Sequence, residues 1–181
     1  GESPEQRARA LQRGTLVHRL LQSLPDLPAD ARLAAATRFL ARNAADWETG
    51  ERDTLAARVL EVIADPRFAA VFAPGSRAEV PIVGRLQRHG KPVLVSGQID
   101  RLVVTQTDVL IVDFKTNHAP PRSLADVPHA YLRQLALYRA VLARLYPQRI
   151  VRAALLWTEV PDIMELSASA LDAELAALTA A

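Results

Sequence analysis

Two kinds of apolar spacing divide the chain. Up to about residue 75, apolar side chains recur every three or four positions, as on one face of a helix. Val17, Leu20, Leu21 and Leu24 form such a face. It follows a helix start in which Ser3 suits the N-cap, Pro4 the first turn and Gln6 a capping box. Pro25 and Pro28 end that helix. The same spacing predicts helices over 30–43 and 51–63, with a short helical turn in "DPRFAAVF". After "APGSR" the period shortens. "AEVPIVG" predicts a strand whose Pro81 belongs on an edge. "PVLVSGQIDRLVVT" predicts a long strand, with a break expected at Gly97, and "VLIVDFK" a third. Their short links imply an antiparallel meander. The polar loop "NHAPPRSLADVP" leads to an amphipathic helix over 129–146. The buried strand "IVRAALLWT" follows, and a crossover of this length suits parallel pairing with the meander. "SASALDAELAALTA" predicts a helix capped by Ser167. The fold class is therefore α/β: a mixed sheet of at least about four strands, flanked by helices, with an N-terminal helical layer.

At 181 residues the chain suits one domain. It reads as a helical part over 1–75, a sheet and long helix over 76–157 and an extension over 158–181. It begins Gly1-Glu2-Ser3, so a segment of a longer polypeptide with a tag remnant is expected. Half of the residues are apolar, which excludes disorder. No apolar run approaches the ~20 residues of a membrane span. The absence of cysteine removes disulfides, thiolate nucleophiles and cysteine-ligated zinc or iron–sulfur clusters. It also agrees with a cytoplasmic location. A net charge of +2 does not by itself point to nucleic acid. Of 22 basic residues only two are lysine, Lys91 and Lys115, and lysine can give up a proton where arginine cannot.

Chemistry gathers at the end of "VLIVDFK". Asp113 and Lys115 are two residues apart, so they leave the strand on one face. Alone they read as an ion pair. Asp100 on the preceding strand changes this, because adjacent antiparallel strands can bring it within a few ångströms of Asp113. Two carboxylates aimed at one spot repel unless a cation lies between them. Their oxygens suit a hard ion such as Mg²⁺. Asp, Asp and Lys around a metal match phosphodiester hydrolysis, with the ammonium orienting water or stabilising developing charge.

Asp100 followed by Asp113-x-Lys115 resembles the PD-(D/E)xK nuclease motif. "RGTLVHRLLQ", "AEVPIVG", "SGQIDRL", "VLIVDFKTN" and "YLRQLALYRAVLARLYP" stand in the order of the C-terminal nuclease domain of AddA- and RecB-type helicase–nucleases, closer to AddA. The resemblance implies a restriction-endonuclease-like core and a metal-dependent DNA (exo)nuclease acting in double-strand-break end processing and recombinational repair. His18, Asp100, Asp113 and the Phe114 carbonyl would hold Mg²⁺, with Glu79 nearby, and Mn²⁺ or Ca²⁺ could occupy the site. Lys115 would be the catalytic lysine. Gln134 and Tyr138 match the QxxxY helix motif that faces the active site and DNA. The implied partners are single-stranded DNA, helicase domains of the same polypeptide and an AddB-type subunit. The iron–sulfur cluster of some related nucleases is excluded. Thr116 and Asn117 are candidates for phosphate contact. No role is expected for His89, His118 or His129, and Tyr131 is expected to face the core or the loop. The rival reading is an inactive nuclease-like module that binds DNA or a partner subunit.

Overall fold

The chain was analysed as a computed structural model that describes residues 1–116 and 119–180. Helices α1 (Pro4–Ser23), α2 (Ala29–Asn43) and α3 (Thr49–Ala64) come first. The α1 start is the expected capping box: Gln6 N–H donates to Ser3 Oγ at 3.1 Å and Ser3 N–H to Gln6 Oε1 at 2.8 Å. Strands β1 (Arg77–Arg88), β2 (Lys91–Val104) and β3 (Asp108–Lys115) form the antiparallel meander. Helix α4 (His129–Leu145) then crosses to β4 (Ile150–Trp157), which pairs parallel to β3. Strand β5 (Asp162–Leu166) pairs antiparallel to β4, and α5 (Ala168–Thr179) follows. The sheet order is β1-β2-β3-β4-β5, so β1 with its Pro81 is an edge strand, as expected.

Alternation along the central strands sends side chains to two cores. Leu110, Val112 and Phe114 of β3, with Ala154 and Leu156 of β4, pack under α1, α2 and α3. Val109 and Ile111, with Ala153, Leu155 and Trp157, pack under α4 and α5. Both faces are covered, which is why "VLIV" and "AALLW" are unbroken apolar runs. Fully buried leucines such as Leu21 and Leu155 contribute roughly 1.5–3 kcal/mol each.

Two expectations need correcting. β2 runs without interruption through Gly97. Gly97 instead makes room for Tyr138, whose hydroxyl lies where any Cβ would stand. The distortion lies further along. Ile99 joins the α4-side core, whereas Arg101, two residues on, reaches Ser76 and Phe72 on the helical side. Residues two apart in a regular strand share a face, so β2 turns over at Asp100. Glu79, between the register pairs Ala78–Arg101 and Val80–Ile99, has a φ of 50°, in the left-handed region that costs a non-glycine residue energy. The second correction is β5, a strand that the sequence pattern did not predict.

Candidate active site

The sheet delivers its polar residues to an open cleft of about 1010 Å³ under α1 and the start of α4. Its walls include His18 and Gly14 of α1, Glu79 of β1, Asp100 of β2, Asp113, Phe114 and Lys115 of β3, Thr116, and Gln134 of α4. These elements are far apart in sequence and meet only through the fold. α1 comes close because Gly14 has no side chain. A Cβ there would stand 2.8 Å from Thr116 Oγ1.

Within the cleft the contacts are specific. His18 Nδ1 lies 3.7 Å from Asp100 Oδ1. The Phe114 N–H donates to Asp100 Oδ2 at 2.8 Å, tying β2 to β3 where their regular pairing has ended. The Phe114 ring is buried edge-on to His18, with centroids 5.9 Å apart. Lys115 Nζ lies 2.6 Å from Asp113 Oδ2. That approach is off the hydrogen-bonding direction, and Asp113 Oδ2 is buried without a hydrogen-bond partner. The Lys115 carbonyl is held by the Thr158 N–H at 3.0 Å.

Electrostatics separate the two carboxylates. Burial pushes the Asp113 carboxyl up to about 6, and the Asp100 charge pushes the same way against Lys115. Asp100 is also penalised by burial, but His18 and the Phe114 N–H outweigh this and hold it below the usual carboxylate range. His18 is raised, chiefly by Asp100, against its own burial, with smaller help from Asp113 and Glu79. Two acids in one site whose affinities for protons diverge are a feature of functional clefts.

The hard oxygens of Asp100 and Asp113, beside a half-buried imidazole, suit a divalent ion. Asp113 Oδ2 is buried with no hydrogen-bond partner and only the Lys115 charge beside it, which leaves its lone pairs for such an ion. Mg²⁺ needs only one or two protein carboxylates beside its waters. Among the described residues no three His, Asp or Glu side chains are drawn together as a closed metal cage. The expected set of His18, Asp100, Asp113, Glu79 and the Phe114 carbonyl therefore borders one cleft without being assembled around one point. The physical reason is Lys115, which supplies the positive charge beside Asp113.

A family model described as the PD-(D/E)XK nuclease superfamily matches residues 2–178. The chain belongs to the PD-(D/E)XK nuclease superfamily. Its five-stranded mixed sheet flanked by helices agrees with the restriction-endonuclease-like fold. Nucleases of this superfamily hydrolyse nucleic acid and generally use divalent metal ions. No curated protein matches the sequence. Among solved structures, the crystal structure of SSO0001 is similar at 12% identity, over 88% of this chain and 71% of that one, with a TM-score of 0.35. At that level the likeness bears on neither fold nor function.

On this PD-(D/E)XK framework the remaining candidates fall into place unevenly. Gln134 lines the cleft, and its amide donates to the Tyr138 hydroxyl at 3.4 Å. Tyr138 is only 7% exposed and packs on Gly97, so it reaches the cleft through Gln134. Thr116 borders the site, while Asn117 and His118 lie outside the described residues. His129 is outside the cleft and faces Glu174 at 3.4 Å. Tyr131 packs against the α4-side core, as expected, and also borders the cleft: Lys115 Nζ sits over its ring, 3.7 Å from the centroid. Tyr131 precedes Gln134 by one helical turn, a spacing that shares its face and could have revealed it. Arg7 and Arg19 of α1 also line the cleft unforeseen, although steps of four and eight residues link them to Leu11 on the same wall.

Proposed function

We propose that the chain is a Mg²⁺-dependent DNA nuclease that hydrolyses phosphodiester bonds. The observation that carries this is the buried Asp113 carboxylate with Lys115 beside it, in a cleft shared with Asp100 and His18. Asp100 and Asp113 would hold the metal, with His18, Glu79 and the Phe114 carbonyl at its border. A bound divalent ion polarises the phosphoryl oxygens and lowers the pKa of water at the site. Lys115, steadied by Asp113 and Tyr131, presents a fixed ammonium where negative charge develops on phosphorus oxygens. Gln134, Thr116 and Asn117 would contact the DNA backbone, with Tyr138 fixing Gln134.

The order of sequence blocks supports an AddA-type context. In it the chain works beside helicase domains of the same polypeptide and an AddB-type subunit. It cuts unwound single strands during double-strand-break processing in the cytoplasm. Among the described residues no helix is long and apolar enough to cross a membrane.

The test is cleavage of a labelled single-stranded oligonucleotide with and without Mg²⁺. Asp113→Ala and Lys115→Ala are each expected to abolish Mg²⁺-dependent cleavage while the fold survives. Retained cleavage by both variants would refute the assignment. An inactive, DNA-guiding module is the other reading, and calorimetry showing no Mg²⁺ or Mn²⁺ affinity, even with DNA present, would favour it.

A further inference from the structure

Beyond the cleft, the β1–β2 hairpin projects past the rest of the sheet. Among the described residues β3 pairs with β2 only from Arg101 to Val104, so Lys91–Asp100 has no strand on that edge. A groove of about 540 Å³ runs between this free edge and α4. Gln134 borders both this groove and the active-site cleft, so the two adjoin at that side chain. The groove floor is apolar, with Val93 and Leu137, and Val93 is 39% exposed. Its polar rim carries Arg88 and Arg133, the latter 3.8 Å from Glu174.

The hairpin tip adds an independent observation. A two-residue turn with positive φ at His89 and Gly90 closes it, and the first pair across the turn is Arg88 opposite Lys91. Like charges directly opposite one another in a ladder are destabilising. An anionic occupant of the groove mouth relieves that repulsion.

We infer that this groove binds the stretch of single-stranded nucleic acid that flanks the scissile phosphate. The inference rests on the nuclease reading and extends it. Phosphates meet Arg88 and Lys91 and compete with Glu174 for Arg133, and unstacked bases lie on the Val93–Leu137 floor. An apolar floor can take base faces only from an unpaired strand, because duplex bases are already stacked. Groove charge with sequence-tolerant base contact is the general recipe for single-strand binding.

The experiment uses the full chain in Ca²⁺, with binding of a fluorescein-labelled single-stranded 20-mer followed by anisotropy, on the order of the site sizes known for such grooves. The double variant Arg88→Ser/Arg133→Gln is expected to bind about tenfold more weakly, with the slope of log affinity against log salt reduced by roughly 1–2. Photo-cross-links from iodouracil placed beside the cleavage position are expected in the peptides holding Val93 and Leu137. Unchanged affinity and salt slope in the double variant, or cross-links confined to other surfaces, would overturn the inference and leave the groove to a protein occupant. Failure of the nuclease reading is seen separately, as wild-type protein that does not cut the same strand in Mg²⁺.

Discussion

Lys115 lies between a carboxylate and a ring: its Nζ is 2.6 Å from Asp113 and 3.7 Å from the centroid of Tyr131. The ring fixes a charge that would otherwise sweep through the rotamers of a four-carbon stem. A cation over an aromatic face is worth about 0.5–2 kcal/mol, the larger value when desolvated. Tyr131→Leu should therefore lower kcat by roughly twofold to thirtyfold, with little change in KM, given about 1.36 kcal/mol per tenfold. Tyr131→Phe keeps the ring face and should restore most of the rate. Steady-state cleavage kinetics of the two variants decide this. Equal loss in both would mean that the hydroxyl, not the face, matters.

Gly97 and Tyr138 test the support beneath Gln134. Gly97→Ala forces a methyl into the Tyr138 hydroxyl and should destabilise the fold by about 1–3 kcal/mol, the usual cost of overpacking. Combined with Tyr138→Ala the two costs should not add, since the second change removes the collision. Denaturant unfolding of the single and double variants measures the coupling.

The unbroken apolar runs of β3 and β4 and the period of α4 are local properties, and the sequence pattern shows all three. Asp100, Asp113 and Lys115 were legible for the same reason, since the ends of adjacent strands must meet. β5 was not, because only Leu166 of its residues is buried and the strand gains its stability by pairing with β4. The turn-over of β2 at Asp100 was also hidden. It depends on Glu79 across the sheet and on Arg101 reaching Ser76, contacts that no window of sequence contains. The contact of Tyr131 with Lys115 was hidden too, because its partner is the tip of a side chain on another element.

Arg101 itself is 1% exposed, with its guanidinium donating to Ser76 Oγ at 2.8 Å and lying 3.4 Å from Asp26. Its Nη1 is buried without a partner. Arg101→Ala should cost about 2–4 kcal/mol through lost hydrogen bonds and a cavity. Arg101→Met, which refills the volume, should cost much less, as buried ion pairs exchanged for apolar side chains often do. Thermal and denaturant unfolding of both variants check this difference.

Asp113 sets a pH signature in the metal-free protein. Its carboxyl is raised from 3.8 to about 6, so the folded chain holds a proton there that the unfolded chain has released. Stability from this group is full at low pH and lost as pH rises through about 4 to 6. Asp113→Asn lacks the titration. Its stability relative to wild type should therefore grow across that window, and Mg²⁺ should shrink the gap because metal binding favours the ionised carboxylate. Urea titrations across the window, with and without Mg²⁺, give the comparison.

The central claim is that Asp100 and Asp113 hold a divalent ion beside Lys115. The most direct measurement is anomalous diffraction from a crystal soaked in Mn²⁺. The account predicts a single strong peak in the cleft, within bonding distance of carboxylate oxygens from both Asp100 and Asp113 and on the His18 side. A peak elsewhere, or an empty cleft at saturating Mn²⁺, would contradict it.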